Sequence, residues 1–212
     1  KYVELDPENR TIRFLQPDLE INLNAIGKGY ALDRCAESIE ASQVHDFLIH
    51  GGQSSVLARG DRKRMQAEAP RGWQVALRHP LRDGVRMGDI WLRDRALGTS
   101  GAAKQYFYHQ GRRYGHVIDP RTGWPAEGVF SASVIAPTAA LADALSTAFY
   151  VMGPAATAEY CRQQPHVAAI LVCPARRAGS LAIHEFNVEP SLWTVRDEFA
   201  ASRVSPPSTS IE

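Results

Sequence analysis

The stretch "PTAALADALSTAFYVMGP", residues 137–154, is the clearest helix in the chain and constrains its neighbours. Leu141, Leu145, Ala148, Phe149 and Met152 recur at helical spacing, Pro137-Thr138 opens the run, and Gly153-Pro154 closes it. Such a stripe has to be buried. On either side lie short apolar segments, "SASVIAP" before it and "VAAILVCP" after a second helix expected over 155–163. A helix bracketed by apolar strands calls for a sheet to lie on.

Most of the remaining chain has a period of two. "KYVELDPENRTIRFLQ" reads as a hairpin about a Pro-Glu-Asn turn, and "YFYHQGRRYGHVID" as another about Gln110-Gly111. "HDFLIHGGQSSVLARG", "WQVALRHP" and "DIWLRDRALGTSG" are strands separated by glycine-bearing turns, and "SLAIHEF" pairs with "VAAILVCP" around "ARRAG". One other segment is helical: in "GKGYALDRCAESIEA", Leu32, Cys35, Ala36 and Ile39 share a face. Helices and strands do not alternate strictly, so the expected fold is α+β, a single mixed domain over 1–195. Residues 196–212 form a Pro/Ser-rich tail whose end, "SPPSTSIE", is expected to fray.

Charge and cysteine usage narrow the function. Lys and Arg number 24 against 23 Asp and Glu, so no basic excess argues for nucleic acid. Cys35, Cys161 and Cys173 lack zinc-knuckle spacing and are odd in number, which indicates neither a metal cage nor a disulfide framework. No apolar run approaches the roughly 18 residues of a membrane span.

Five places hold residues with chemical potential. Gly27 and Gly29 flank Lys28 where the first helix begins. Free N–H groups and an ammonium there suit a phosphate, although a tight turn with a solvated lysine explains the same residues. "HGGQS" superficially resembles an esterase oxyanion loop, but the chain has no GxSxG elbow; a sharp turn lining a pocket fits better. "GTSG", 98–101, offers two hydroxyls between glycines. Asp143 and Thr147 lie at i, i+4, which puts a carboxylate and a hydroxyl about 5–6 Å apart on one face. That pair is a partial cage for Mg²⁺, or else a first-turn aspartate favouring the helix dipole and a threonine bonding back to a carbonyl. In "HVIDPRTG", His116 and Asp119 point to opposite faces of an extended segment, so they do not form a dyad. Asp119, Arg121 and Gly123 build a turn, which leaves His116 as a titratable group without a structural task.

Taken in order, "NLNAIGKGYALD", "IHGGQSSV", "TSGAAKQYF", "HVIDPRTGWP" and "ADALSTAFYVMG" resemble the FAD:protein FMN transferases, the ApbE-like flavin transferases. The resemblance covers roughly residues 1–190 and implies an ApbE-like, T-fold-like architecture. It implies Mg²⁺-dependent transfer of FMN from FAD to a threonine hydroxyl of an acceptor flavoprotein subunit, with release of AMP. By the same resemblance Ala25 (through its carbonyl), Asp143 and Thr147 match metal ligands. Asn22, Lys28, His116 and Val117 match nucleotide contacts, and His116 also matches the base on the acceptor threonine. A periplasmic or membrane-anchored location, through a segment N-terminal to these residues, is implied only by the family.

Departures leave two other readings open. Asn22 replaces the family's leading aspartate, Asn24 one of its glycines, and Ala102-Ala103 an Asp-Tyr pair. The family also carries a further N-terminal portion that helps hold the nucleotide, so the chain is expected to be a shortened or N-terminally incomplete member. The alternatives are Mg²⁺-dependent hydrolysis of FAD to FMN and AMP, and a non-catalytic ApbE-like binding or scaffold protein.

Overall fold

The computed structural model describes residues 2–62, 72–101, 106–177 and 179–204, without the side chains of Arg112 and Arg113. The chain opens with the hairpin β1 (Val3–Asp6) and β2 (Thr11–Phe14), followed by helix α1 (Gly27–Ala41). Next come β3 (Phe47–His50), β4 (Ser55–Arg59), β5 (Trp73–Arg78), β6 (Arg86–Leu92) and β7 (Arg95–Gly101). The second hairpin is β8 (Tyr106–His109) and β9 (Arg112–Gly115), and β10 (Ser131–Ala136) leads into α2 (Ala139–Gln163). The chain then forms β11 (Ala168–Pro174), β12 (Leu181–Phe186), β13 (Trp193–Val195), α3 (Asp197–Ala200) and β14 (Arg203–Val204). Ala102-Ala103 and the "SPPSTSIE" tail lie outside the described residues.

Seven strands make the main sheet, in the order β14-β12-β11-β10-β7-β4-β3. Every neighbouring pair is antiparallel except β12 with β14. One face carries α1 and α2. The other is covered by a three-stranded sheet, β13-β6-β5, so the central strands are buried on both sides. In β11, Ala168, Ile170 and Val172 pack toward the small sheet, while Ala169, Leu171 and Cys173 pack toward α2. This is why "VAAILVC" is continuously apolar instead of alternating. In β10, Ile135 faces the small sheet, and Ala132 and Val134 face α2.

α2 is two helices joined at a kink. Gly153 has φ 76°, outside helical space, and Pro154 lacks the N–H to continue the ladder. Thr157 secures the second half by donating its hydroxyl to the Gly153 carbonyl at 2.8 Å. The expected break at Gly153-Pro154 is therefore present. So is the hairpin turn at Gln110-Gly111, where both residues have positive φ, 49° and 75°, as a two-residue type I′ turn requires. Beyond residue 195, α3 buries Phe199 against the core and β14 pairs with β12.

Candidate functional site

The helix face of the sheet, where α1 and α2 cross, collects the polar residues. Strand alternation selects them: in β4, Ser55 shares a face with Leu57, which packs under the helices; in β7, Gly98 and Ser100 share a face with Ala96. Glycine lets the backbones approach. A Cβ on Gly98 would lie 2.3 Å from the Ala142 carbonyl oxygen, and one on Gly29 would lie 2.1 Å from that of Ala139.

Each helix then receives an aspartate from the other at its N-terminus. Asp33 of α1 accepts from the N–H groups of Ala139 and Ala140, both at 2.8 Å. Asp143 of α2 accepts from the N–H of Gly29 at 3.1 Å. Neither helix has an acidic residue in its own first turn, so each dipole end meets a carboxylate from across the crossing, which accepts from the N–H of Gly29 in α1 and from those of Ala139 and Ala140 in α2. This differs from the dipole alternative considered for Asp143, because α2 starts at Ala139 and Asp143 is not in its first turn.

Asp143 sits deeper than a surface ligand. Only 3% of it is exposed. One carboxylate oxygen accepts from the hydroxyl of Ser55 at 2.9 Å; the other accepts from Gly29 and lies 3.6 Å from the Lys28 ammonium. One turn on, the Thr147 hydroxyl is 2.9 Å from that of Ser100, which is also 2.9 Å from Ser146. Ser146 bonds back to the Asp143 carbonyl at 2.8 Å, so Ser146 makes the back-bond that was one alternative for Thr147. Ala25 and Asn22 lie in the exposed turn leading to α1, where the Asn22 amide oxygen accepts from the Asn24 N–H at 2.8 Å.

His116 and Val117 come from a different element, the segment between β9 and the Asp119 turn. His116 is exposed; Val117 packs on the α2 core and its carbonyl accepts from Ala126 at 2.8 Å. The turn is built as its residues suggest. Asp119 accepts from the backbone N–H of Arg121 at 2.9 Å and from its guanidinium at 2.6 Å, and its carbonyl takes the N–H of Gly123, whose φ is 74°. Hydrogen bonds from Arg121 hold the Asp119 carboxyl below its ordinary value. Arg121 also donates to the Val151 carbonyl at 3.1 Å, tying this corner to α2 just before its kink.

The side-chain atoms that Asp143, Thr147 and the neighbouring serines offer are all oxygens, which suits a hard cation such as Mg²⁺. Among the described residues no group of three His, Cys, Asp or Glu side chains converges on a metal site, so a cation here would rest on one carboxylate, hydroxyls, carbonyls and water. The residues present thus fit Mg²⁺. Asp33, Ser55 and Ser146 are the partners that sequence reasoning missed, whereas Ser100 is one of the two hydroxyls of the "GTSG" loop it singled out. The available signal was a serine at an inward position of a buried strand, and an aspartate one turn after Gly29.

The ApbE family model matches residues 1–171. The FAD:protein FMN transferase of Rhodobacter capsulatus is 38% identical over 154 residues, 72% of this chain and 28% of its own length. The crystal structure of the ApbE protein from Thermotoga maritima superposes with a TM-score of 0.67 at 31% identity, covering 81% of this chain and 54% of that one. The flavin transferase ApbE from Vibrio cholerae shares the fold, with a TM-score of 0.72 at 23% identity over 87% of this chain and 56% of that one. The chain spans about half the length, or less, of the curated relatives it matches.

Proposed function

Because this chain belongs to the ApbE family, we propose that it serves Mg²⁺-dependent transfer of FMN from FAD to a threonine hydroxyl of an acceptor flavoprotein, with release of AMP. The observation that carries the reading is the buried Asp143 carboxylate one helical turn from Thr147, with the Lys28 ammonium beside it. Asp143 and Thr147, with the Ala25 carbonyl, would hold Mg²⁺, which when bound neutralises charge building on the pyrophosphate. Lys28, with Asn22 and the Val117 backbone, would orient the nucleotide.

His116 would take the proton from the acceptor threonine. The threonine oxygen then bonds to the phosphorus of the FMN half as that phosphorus parts from the bridging oxygen. The bridging oxygen leaves with its electron pair on AMP. Ser55, Ser100 and Ser146 hold the two ligand side chains in place through the hydrogen bonds described.

The test incubates the protein with FAD and Mg²⁺, with and without an acceptor flavoprotein subunit, and follows AMP and protein-bound flavin. Transfer requires both products and dependence on acceptor and metal; AMP formed equally without acceptor would mean hydrolysis instead. Thr147→Val, which removes one ligand hydroxyl and the bond to Ser100, should lower the rate at fixed Mg²⁺ by roughly tenfold or more, about 1.4 kcal/mol of barrier. An unchanged rate and unchanged Mg²⁺ dependence would count against the site.

A further inference from the structure

We propose that Lys28 is an exchangeable counter-ion for Asp143, so that a divalent cation must displace its ammonium and thereby hand it to an anionic nucleotide. The inference rests on the reading of Asp143 and Thr147 as the metal site. A carboxylate this buried is costly without a compensating charge. Ser55 and Gly29 supply neutral donors; among the described residues the cation that an ion pair places beside Asp143 is Lys28.

The contact is a weak one. Lys28 lies 3.6 Å from the carboxylate oxygen, beyond hydrogen-bonding range, while it donates to the Asn24 carbonyl at 3.2 Å. Its side chain is 46% exposed and that of Asp143 only 5%, so the lysine can swing and the aspartate cannot. A divalent cation held by the Asp143 carboxylate would repel an ammonium within a few ångströms of it. The cheapest response is for Lys28 to turn outward. There an anionic pyrophosphate would receive it, so metal and nucleotide would each tighten the other's binding, as linkage requires.

The experiment is calorimetric titration of Mg²⁺ into the nucleotide-free protein, repeated with saturating FAD, for wild type, Lys28→Met, Arg34→Met and Asp143→Asn. Lys28→Met should bind Mg²⁺ about tenfold more tightly than wild type without FAD, since the competing charge is gone. It should lose most of the gain that FAD gives wild type. Its metal-free melting temperature should fall, and Mg²⁺ should restore it. Arg34→Met removes a charge paired with Glu37 further along α1 and should behave as wild type. Equal or weaker Mg²⁺ binding by Lys28→Met, or an undiminished FAD effect, overturns the exchange while leaving the metal site intact. If Asp143→Asn binds as wild type does, or no variant binds Mg²⁺ with or without FAD, the metal-site reading falls and this inference falls with it.

Discussion

Burial pushes the thiols of Cys161 and Cys173 up to about 11, because a thiolate in those apolar surroundings would lose its hydration. Cys161 lies on the buried face of α2 itself, and Cys173 lies on the helix face of β11. Cys35 is exposed on α1. The difference is measurable. In the native protein at neutral pH a thiol reagent such as Ellman's should titrate one cysteine rapidly, and Cys35→Ser should abolish that fast phase. The other two should react only after denaturation. Fast labelling of all three would mean that the helix-face core opens readily. Spacing gave no sign of a zinc knuckle or a disulfide framework, and it could not tell which of these cysteines water can reach.

At the scale of elements, the crossing of α1 and α2 decides most of the site's geometry. Helical spacing predicted both helices and placed Asp143 and Thr147 on one face. It put both near the core boundary, but it did not predict that Asp143 would be almost fully buried, or that Asp33 would cap the partner helix. Those facts depend on Gly29, where any side chain meets the Ala139 carbonyl. Gly29→Ala should therefore cost about 3 kcal/mol, the upper part of the usual range for overpacking, measured by chemical denaturation. Because forcing the helices apart also separates Asp143 from the Gly29 N–H, Mg²⁺ binding should weaken in parallel. A near-neutral Gly29→Ala would mean that the helices tolerate a wider crossing than the structure shows.

At the scale of the whole molecule, the three layers explain the long apolar runs and give the residues after 195 a task. The sequence reading ended the domain there. Phe199 of α3 is only 4% exposed, packs in the core between the two sheets, and lies 5.7 Å from the ring of His79. Its replacement by alanine should destabilise the protein by about 3–4 kcal/mol through lost burial and a residual cavity. An effect under about 1 kcal/mol, the level of surface substitutions, would place the boundary at 195 after all.

What depends on near neighbours was legible in the sequence: the 139–152 helix, the Gly153-Pro154 break, the Gln110-Gly111 and Asp119 turns, the i, i+4 pair of Asp143 and Thr147, and the motif order that marks the family. These are set within a few residues by dihedral limits, helical period and turn chemistry. Which residues meet across the chain depends on the packing of sheet and helices. Asp143 is 114 residues from Gly29 and 88 from Ser55, yet it bonds to both. Such contacts follow from strand order and from close approach at glycine, and no local period encodes which strand lies beside which.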